Sequence, residues 1–247
     1  MAIDHVLRFP CEVRKSIPEE KLRLCVNYRS TAESVMEAVR QKNPAVSNDD
    51  LLDKYKVGIR RMAPDGTTEQ APVTIRELFA MAQPLDACKD ACTACPANSA
   101  ARPFGCIAKI NYPVTSQAEA WLLSRLPEDA NDPGLSLLFK FLSDLKVDGR
   151  KVDSMREPRL FEMKQPVARR WGGLFNRKQI TSSQILQILA FEGYIGPEQA
   201  RLYTSLLKLE SVLSDPHPPS SIIEQFKTLM CAIVMAGRLN AGIDVDA

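Results

Sequence analysis

Four cysteines within nineteen residues constrain this chain more than any other feature it carries. Cys88, Cys92, Cys95 and Cys106 follow the spacing C-x3-C-x2-C-x10-C. Thiolates are soft ligands that suit zinc or iron–sulfur clusters. Four of them complete a tetrahedral zinc site or serve the four irons of a cubane. The C-x2-C step lets two sulfurs converge from one tight turn, and Pro96 and Gly105 are turn-shaping residues beside it. His5 and His217 are not local, so an all-cysteine site is expected. Zinc is the expected cofactor and a 4Fe-4S cluster the alternative. A zinc ribbon usually presents two C-x2-C knuckles, and here only Cys92 and Cys95 form one. Three clustered cysteines with a more distant fourth also suit a cubane. Without a metal, the same residues would be small buried hydrophobes or a redox-reactive loop. Cys11, Cys25 and Cys231 flank apolar residues and read as core.

The segment Cys88-x3-Cys92-x2-Cys95 resembles the cluster signature of radical S-adenosylmethionine enzymes, in which three cysteines hold a cubane. The resemblance covers eight residues. Ala94 stands where that family often has an aromatic, and Gly172-Gly173 is followed by Leu174 where a Gly-Gly-Glu would be expected. No run of βα units is readable for the barrel such an enzyme needs.

Seven cysteines is an odd number, and the N-terminus lacks a charged stretch leading into an apolar one. Both features predict thiol chemistry in the cytoplasm instead of a secreted disulfide framework. No stretch of 18 uninterrupted apolar residues exists, so no membrane span is expected. A 247-residue chain with 45% hydrophobic and 25% charged residues has the makeup of a globular protein. Its net charge of +2 does not by itself imply a nucleic-acid partner.

Periodicity predicts an α+β chain, mainly helical, with a small β element and the cysteine loop in the N-terminal half and helices in the C-terminal half. The expected divisions are 1–147 as an α+β domain containing the module at 88–106, 148–179 as a basic irregular segment, and 180–247 as a helical region packed on the first domain. In the first part, strand signals fall at Val6–Val13, 56–75 and 107–112, the second a hairpin around the turn tetrad Ala63-Pro64-Asp65-Gly66. Helices are expected over Thr31–Arg40, from near Leu51 with Asp49-Asp50 as its cap, after Thr115, and over Leu135–Leu145. In the last part, Thr181-Ser182-Ser183-Gln184 is a capping-box pattern and Pro197 suits a first helical position. Leu202, Leu206, Leu209 and Leu213 form a stripe, and Ser220 or Ser221 starts a last helix after Pro216-His217-Pro218-Pro219. Asp244 and Asp246 read as solvated tail residues.

Residues 148–179 carry nine Lys or Arg against four acids. Arg169, Arg170, Trp171, Arg177 and Lys178 are the candidate contacts with an unidentified protein partner. Nucleic acid, stacked on Trp171 and Phe175, is the less favoured partner. The helices at 182–192 and 197–213 superficially suggest a helix-turn-helix, but one base-reading cation, Arg201, makes an ordinary helical hairpin the better expectation. No G-x-S-x-G, Walker A loop or dinucleotide fingerprint is present, so no catalytic residue is assigned. The expected function is an intracellular interaction or adaptor protein with a structural four-cysteine zinc site. The alternatives are an iron–sulfur redox protein and a nucleic-acid-associated protein.

Overall fold

The computed structural model describes residues 2–62, 68–98, 103–172, 178–214 and 221–247. Strand β1 (Ala2–Arg8) is followed by α1 (Glu12–Ser16), α2 (Glu19–Lys42) and α3 (Asn48–Lys54). Next come β2 (Lys56–Met62), β3 (Thr68–Thr74), α4 (Ile75–Met81) and α5 (Lys89–Thr93). Then follow β4 (Ile107–Asn111), α6 (Ser116–Ser124), α7 (Pro133–Asp144) and α8 (Arg150–Asp153). The remainder is β5 (Ala168–Trp171), β6 (Lys178–Thr181), α9 (Ser182–Ala190), β7 (Tyr194–Ile195), α10 (Pro197–Leu206), α11 (Ile222–Leu239) and β8 (Gly242–Asp246). Helix outweighs strand, so the class is α+β as the sequence patterns imply. Among the described residues no helix is long and apolar enough to cross a membrane.

The chain divides into two compact units, Pro10–Ala94 and a larger one of Met1–Phe9 with Cys95–Ala247. β1 joins a sheet whose other strands begin a hundred or more residues later, a pairing that local periodicity does not announce.

In the smaller unit the long helix α2 packs against α4. It starts at Glu19, well before the expected Thr31, because Pro18 holds the N-cap and Glu19 and Glu20 favour the positive end of the helix dipole. Ser47, not the Asp49-Asp50 pair, caps α3 by accepting from Asp50 N at 3.1 Å. The expected hairpin is present, with Lys56 opposite Thr74 and Met62 opposite Thr68. Its turn tetrad, residues 63–66, lies outside the described residues. Thr74 and Glu77 form a reciprocal capping box that starts α4 directly from β3. Ala32, Val73, Ile75 and Leu78 are the buried centre of this unit.

The larger unit is built on a four-stranded antiparallel sheet in the order β4-β1-β8-β7. The strand expected over Val6–Val13 is in fact Ala2–Arg8. It stops before Pro10, which lacks an N–H for the ladder, and Cys11 then takes the N-cap position of α1 without a side-chain capping bond. Alternation puts Ile3, His5 and Leu7 on one face, opposite Ile110, Val245 and Ile243 on the flanking strands. α11 packs against β1, β4 and β8, and also against α10. Ser221 caps α11, and Asn240 ends it in the left-handed region at φ 51°. That turn delivers the chain into β8, so Asp244 and Asp246 sit in a strand, not in a solvated tail. The break 216–219 and Ser220 lie outside the described residues.

Among the described residues of 148–179, several make buried polar contacts. Val114 N donates to Leu160 O at 2.9 Å and Glu162 N to Val114 O at 3.0 Å, stitching the segment to the chain after β4. Strands β5 and β6 pair from Ala168–Thr181 to Trp171–Lys178. Arg156 and Glu119 form a fully buried ion pair, with side chains 1% and 0% exposed. Arg156 also donates to Ser183 Oγ at 3.0 Å and to Met163 O at 3.1 Å, and its guanidinium lies 4.5 Å from the Phe161 ring centre. Ser182 donates to Glu119 Oε1 at 2.6 Å, and Ser183 to Asp153 Oδ1 at 2.6 Å. The basic stretch thus spends one of its cations inside the fold.

Candidate functional site

Cys88 and Cys92 belong to the smaller unit, and Cys95 and Cys106 to the larger. Cys88 occupies the N-cap of α5 and is half-buried, while Cys92, one turn later, is buried. Cys95 is half-buried in the following turn, where its carbonyl accepts from Asn98 N at 3.2 Å. Cys106 is buried just ahead of β4, and its carbonyl accepts from Leu7 N at 2.8 Å, tying it to β1. None of the seven cysteines is in a disulfide. Among the described residues no three His, Cys, Asp or Glu side chains gather as a metal site. Of the other cysteines, burial raises the thiol pKa of Cys25 and of Cys231. Cys25 is core, whereas Cys11 and Cys231 are half-buried.

The basic candidates separate into two kinds. Arg169 donates to Leu123 O at 2.9 Å and Leu126 O at 2.8 Å, at the C-terminal end of α6. Trp171 is buried, its Nε1 donates to Pro127 O at 3.0 Å, and its ring meets Phe139 edge to face at 5.7 Å. The Trp171 indole is core: the α6–α7 connection supplies its acceptor, Pro127 O, and α7 supplies its ring contact, Phe139. Arg170 and Lys178 remain exposed. Lys178 Nζ lies 5.4 Å from the Phe139 ring centre. Arg177 lies outside the described residues, as does Phe175.

His5 is fully buried, and neither ring nitrogen has a hydrogen-bond partner among the described residues. Burial lowers its pKa from 6.5 to about 4, so the ring is neutral at pH 7. A base without solvent or partner has nothing to take a proton from.

One constellation was missed by sequence reasoning. Lys109 on β4 stands directly opposite Asp4 on β1, and Asp4 directly opposite Asp246 on β8. The three charges form a row on one face of the sheet. Burial lowers the Lys109 pKa, and the Asp4 charge works against that shift. Asp4 and Asp246 also line a cavity of about 330 Å3 with Tyr112, Met155 and Leu160. The only signal available in sequence was a charged residue in each of three apolar-rich stretches. Nothing local says that those stretches pair.

No family model, curated protein or solved structure matches this chain. Function has to be argued from its own residues.

Proposed function

We propose that the chain is an intracellular interaction protein in which Cys88, Cys92, Cys95 and Cys106 hold one structural zinc ion. The observation that carries this reading is four cysteines within nineteen residues, none of them in a disulfide. Thiols kept at such density, with none spent on a disulfide, are the ligand set a soft metal requires. Four thiolates leave no coordination position for water, so the ion would act on folding and not on a substrate. The partner-facing cations are Arg170 and Lys178, which are exposed on the β5–β6 hairpin. Thiol usage fits a reducing compartment such as the cytoplasm. An iron–sulfur protein is the second reading, favoured by the C-x3-C-x2-C grouping of three cysteines.

The test is metal and acid-labile sulfide content of protein purified without oxygen, beside its visible spectrum. The expected result is about one zinc per chain and no visible band, with Cys95→Ser losing the zinc and Cys231→Ser keeping it. Iron with matching sulfide would replace the zinc reading by the redox one. Absence of both metals would leave the cysteines as packing residues and remove the proposal.

A further inference from the structure

The C-terminal end of α7 sets a cation beside an apolar hollow. Lys146 N donates to Ser143 O at 3.0 Å and Val147 N to Leu142 O at 2.8 Å, the paired bonds that end a helix on a left-handed residue. Lys146 is that residue, at φ 54°, where glycine is the residue that fits without strain. Val147 follows it and is buried. Phe139, Leu142 and Val147 line a cavity of about 360 Å3, whose wall also includes Lys146, Asp148 and Gln184. That wall is braced: Gln184 Nε2 donates to Val147 O at 3.0 Å, and its Oε1 accepts from Thr181 N at 2.9 Å.

The charges around this cavity do not cancel. Lys140 pairs with Asp144 at 2.7 Å, and Arg150 with Asp148 at 3.3 Å. Lys146 and Lys178 are exposed, and neither has an acidic partner among the described residues. Strand pairing sets Lys178 on the same hairpin face as its cross-strand neighbour Trp171, and Arg170 on the other face. Lys178 Nζ lies 5.4 Å from the ring centre of Phe139, itself a wall of the cavity. Two uncompensated ammonium groups therefore adjoin an apolar floor.

We propose that this surface docks an acidic peptide segment of a partner protein, with one apolar side chain seated in the cavity and carboxylates beside it. The inference rests on the interaction-protein reading, not on the zinc, and gives that partner its chemistry. The carboxylates would meet Lys146 and Lys178, and the anchor would lie against Phe139, Leu142 and Val147. A volume of about 360 Å3 is at the small end of ligand pockets, which suits an anchoring side chain. A basic segment would meet two like charges here. A nucleic-acid strand needs a longer row of cations and open rings to stack on, whereas Trp171 is buried and Lys178 sits over Phe139.

The experiment is fluorescence anisotropy of the full chain with a fluorescein-labelled peptide carrying Leu-Phe at its centre and two Glu on each side. Matched peptides replace the Glu by Gln, the Glu by Lys, or Leu-Phe by Ala-Ala. The acidic peptide should bind saturably and lose affinity as salt rises, and each matched peptide should bind about tenfold more weakly. Lys178→Gln and Lys146→Asn should each weaken it by roughly fivefold, Asn being chosen because it accepts the left-handed backbone. Lys21→Gln, in the smaller unit, should bind as the parent does. Equal binding of all four peptides, or lysine variants at 146 and 178 that bind as the parent does, overturns the proposal. So does an oligothymidylate that binds more tightly and displaces the peptide, which would make the surface a nucleic-acid contact. Should the variants fail to fold, discrimination among the four peptides by the parent chain decides alone. Bound zinc without peptide binding would refute this partner and leave the zinc reading standing, and peptide binding without zinc would do the reverse.

Discussion

Arg156 and His5 are both buried in the larger unit, yet Arg156 is surrounded by partners while His5 has none among the described residues. The difference follows from what each side chain can do with its proton. A guanidinium cannot be deprotonated in a protein, so burying it demands a counter-charge and acceptors for its N–H groups. Glu119, Ser183 and the Met163 carbonyl provide them, and Phe161 covers the guanidinium. An imidazole can shed its charge and enter the core neutral, at the cost of two unmade hydrogen bonds. The first solution is stable only when complete, and the second only while the pH keeps the ring neutral.

The contrast can be broken most strongly at the ion pair. Arg156→Met alone should destabilise the larger unit by about 3–5 kcal/mol, because Glu119 is left buried and uncompensated. Adding Glu119→Leu should restore most of that loss, since an apolar pair of similar volume replaces the ions. Both tryptophans, Trp121 and Trp171, lie in the larger unit, so fluorescence during urea unfolding follows that unit. A double variant no more stable than the single one would show that the network does more than neutralise a charge.

His5 sharpens the comparison through pH. Its folded pKa of about 4 lies below the unfolded value of 6.5, so below 6.5 the unfolded chain takes up the proton first. Stability is full above pH 6.5, falls as pH drops from 6.5 to 4, and levels off below 4. The loss attributable to His5 is roughly 3 kcal/mol at the lower limit. His5→Leu should remove that part of the acid sensitivity, read as the difference between the two unfolding curves at pH 7 and pH 4.5. Parallel losses in parent and variant would mean that the ring gains a partner on acidification. The smallest expected effect is at the edge of the network. Ser183→Ala removes one acceptor from Arg156 while the others stay, and should cost about 1 kcal/mol by the same measurement.

What was legible in the sequence lies within a few residues of its own signal. Thr181 and Gln184 form the expected capping box, and Ser221 starts the last helix. Pro197 opens α10 at the first helical position, and the 56–75 stretch folds into its hairpin. The cysteine spacing was equally plain, although its chemistry is a matter for the metal measurement. The burial of Arg156 was not legible, because an arginine in a polar stretch carries no mark of burial. Only the arrival of Glu119 from α6 and Ser183 from α9 makes Arg156 a core residue.

By itself, then, the sequence determined several of the longer helices, the caps at Thr181 and Ser221 and the local hairpin, because hydrogen bonds and side-chain periodicity that close over three or four residues are written in neighbouring positions. Tertiary structure alone decided the central place of β1, the burial of Trp171 and the meeting of Asp4, Lys109 and Asp246. A strand's alternation states which residues share a face, but not which distant strand will lie beside it. That choice depends on the ladder bonds and buried area gained once the whole chain has closed upon itself.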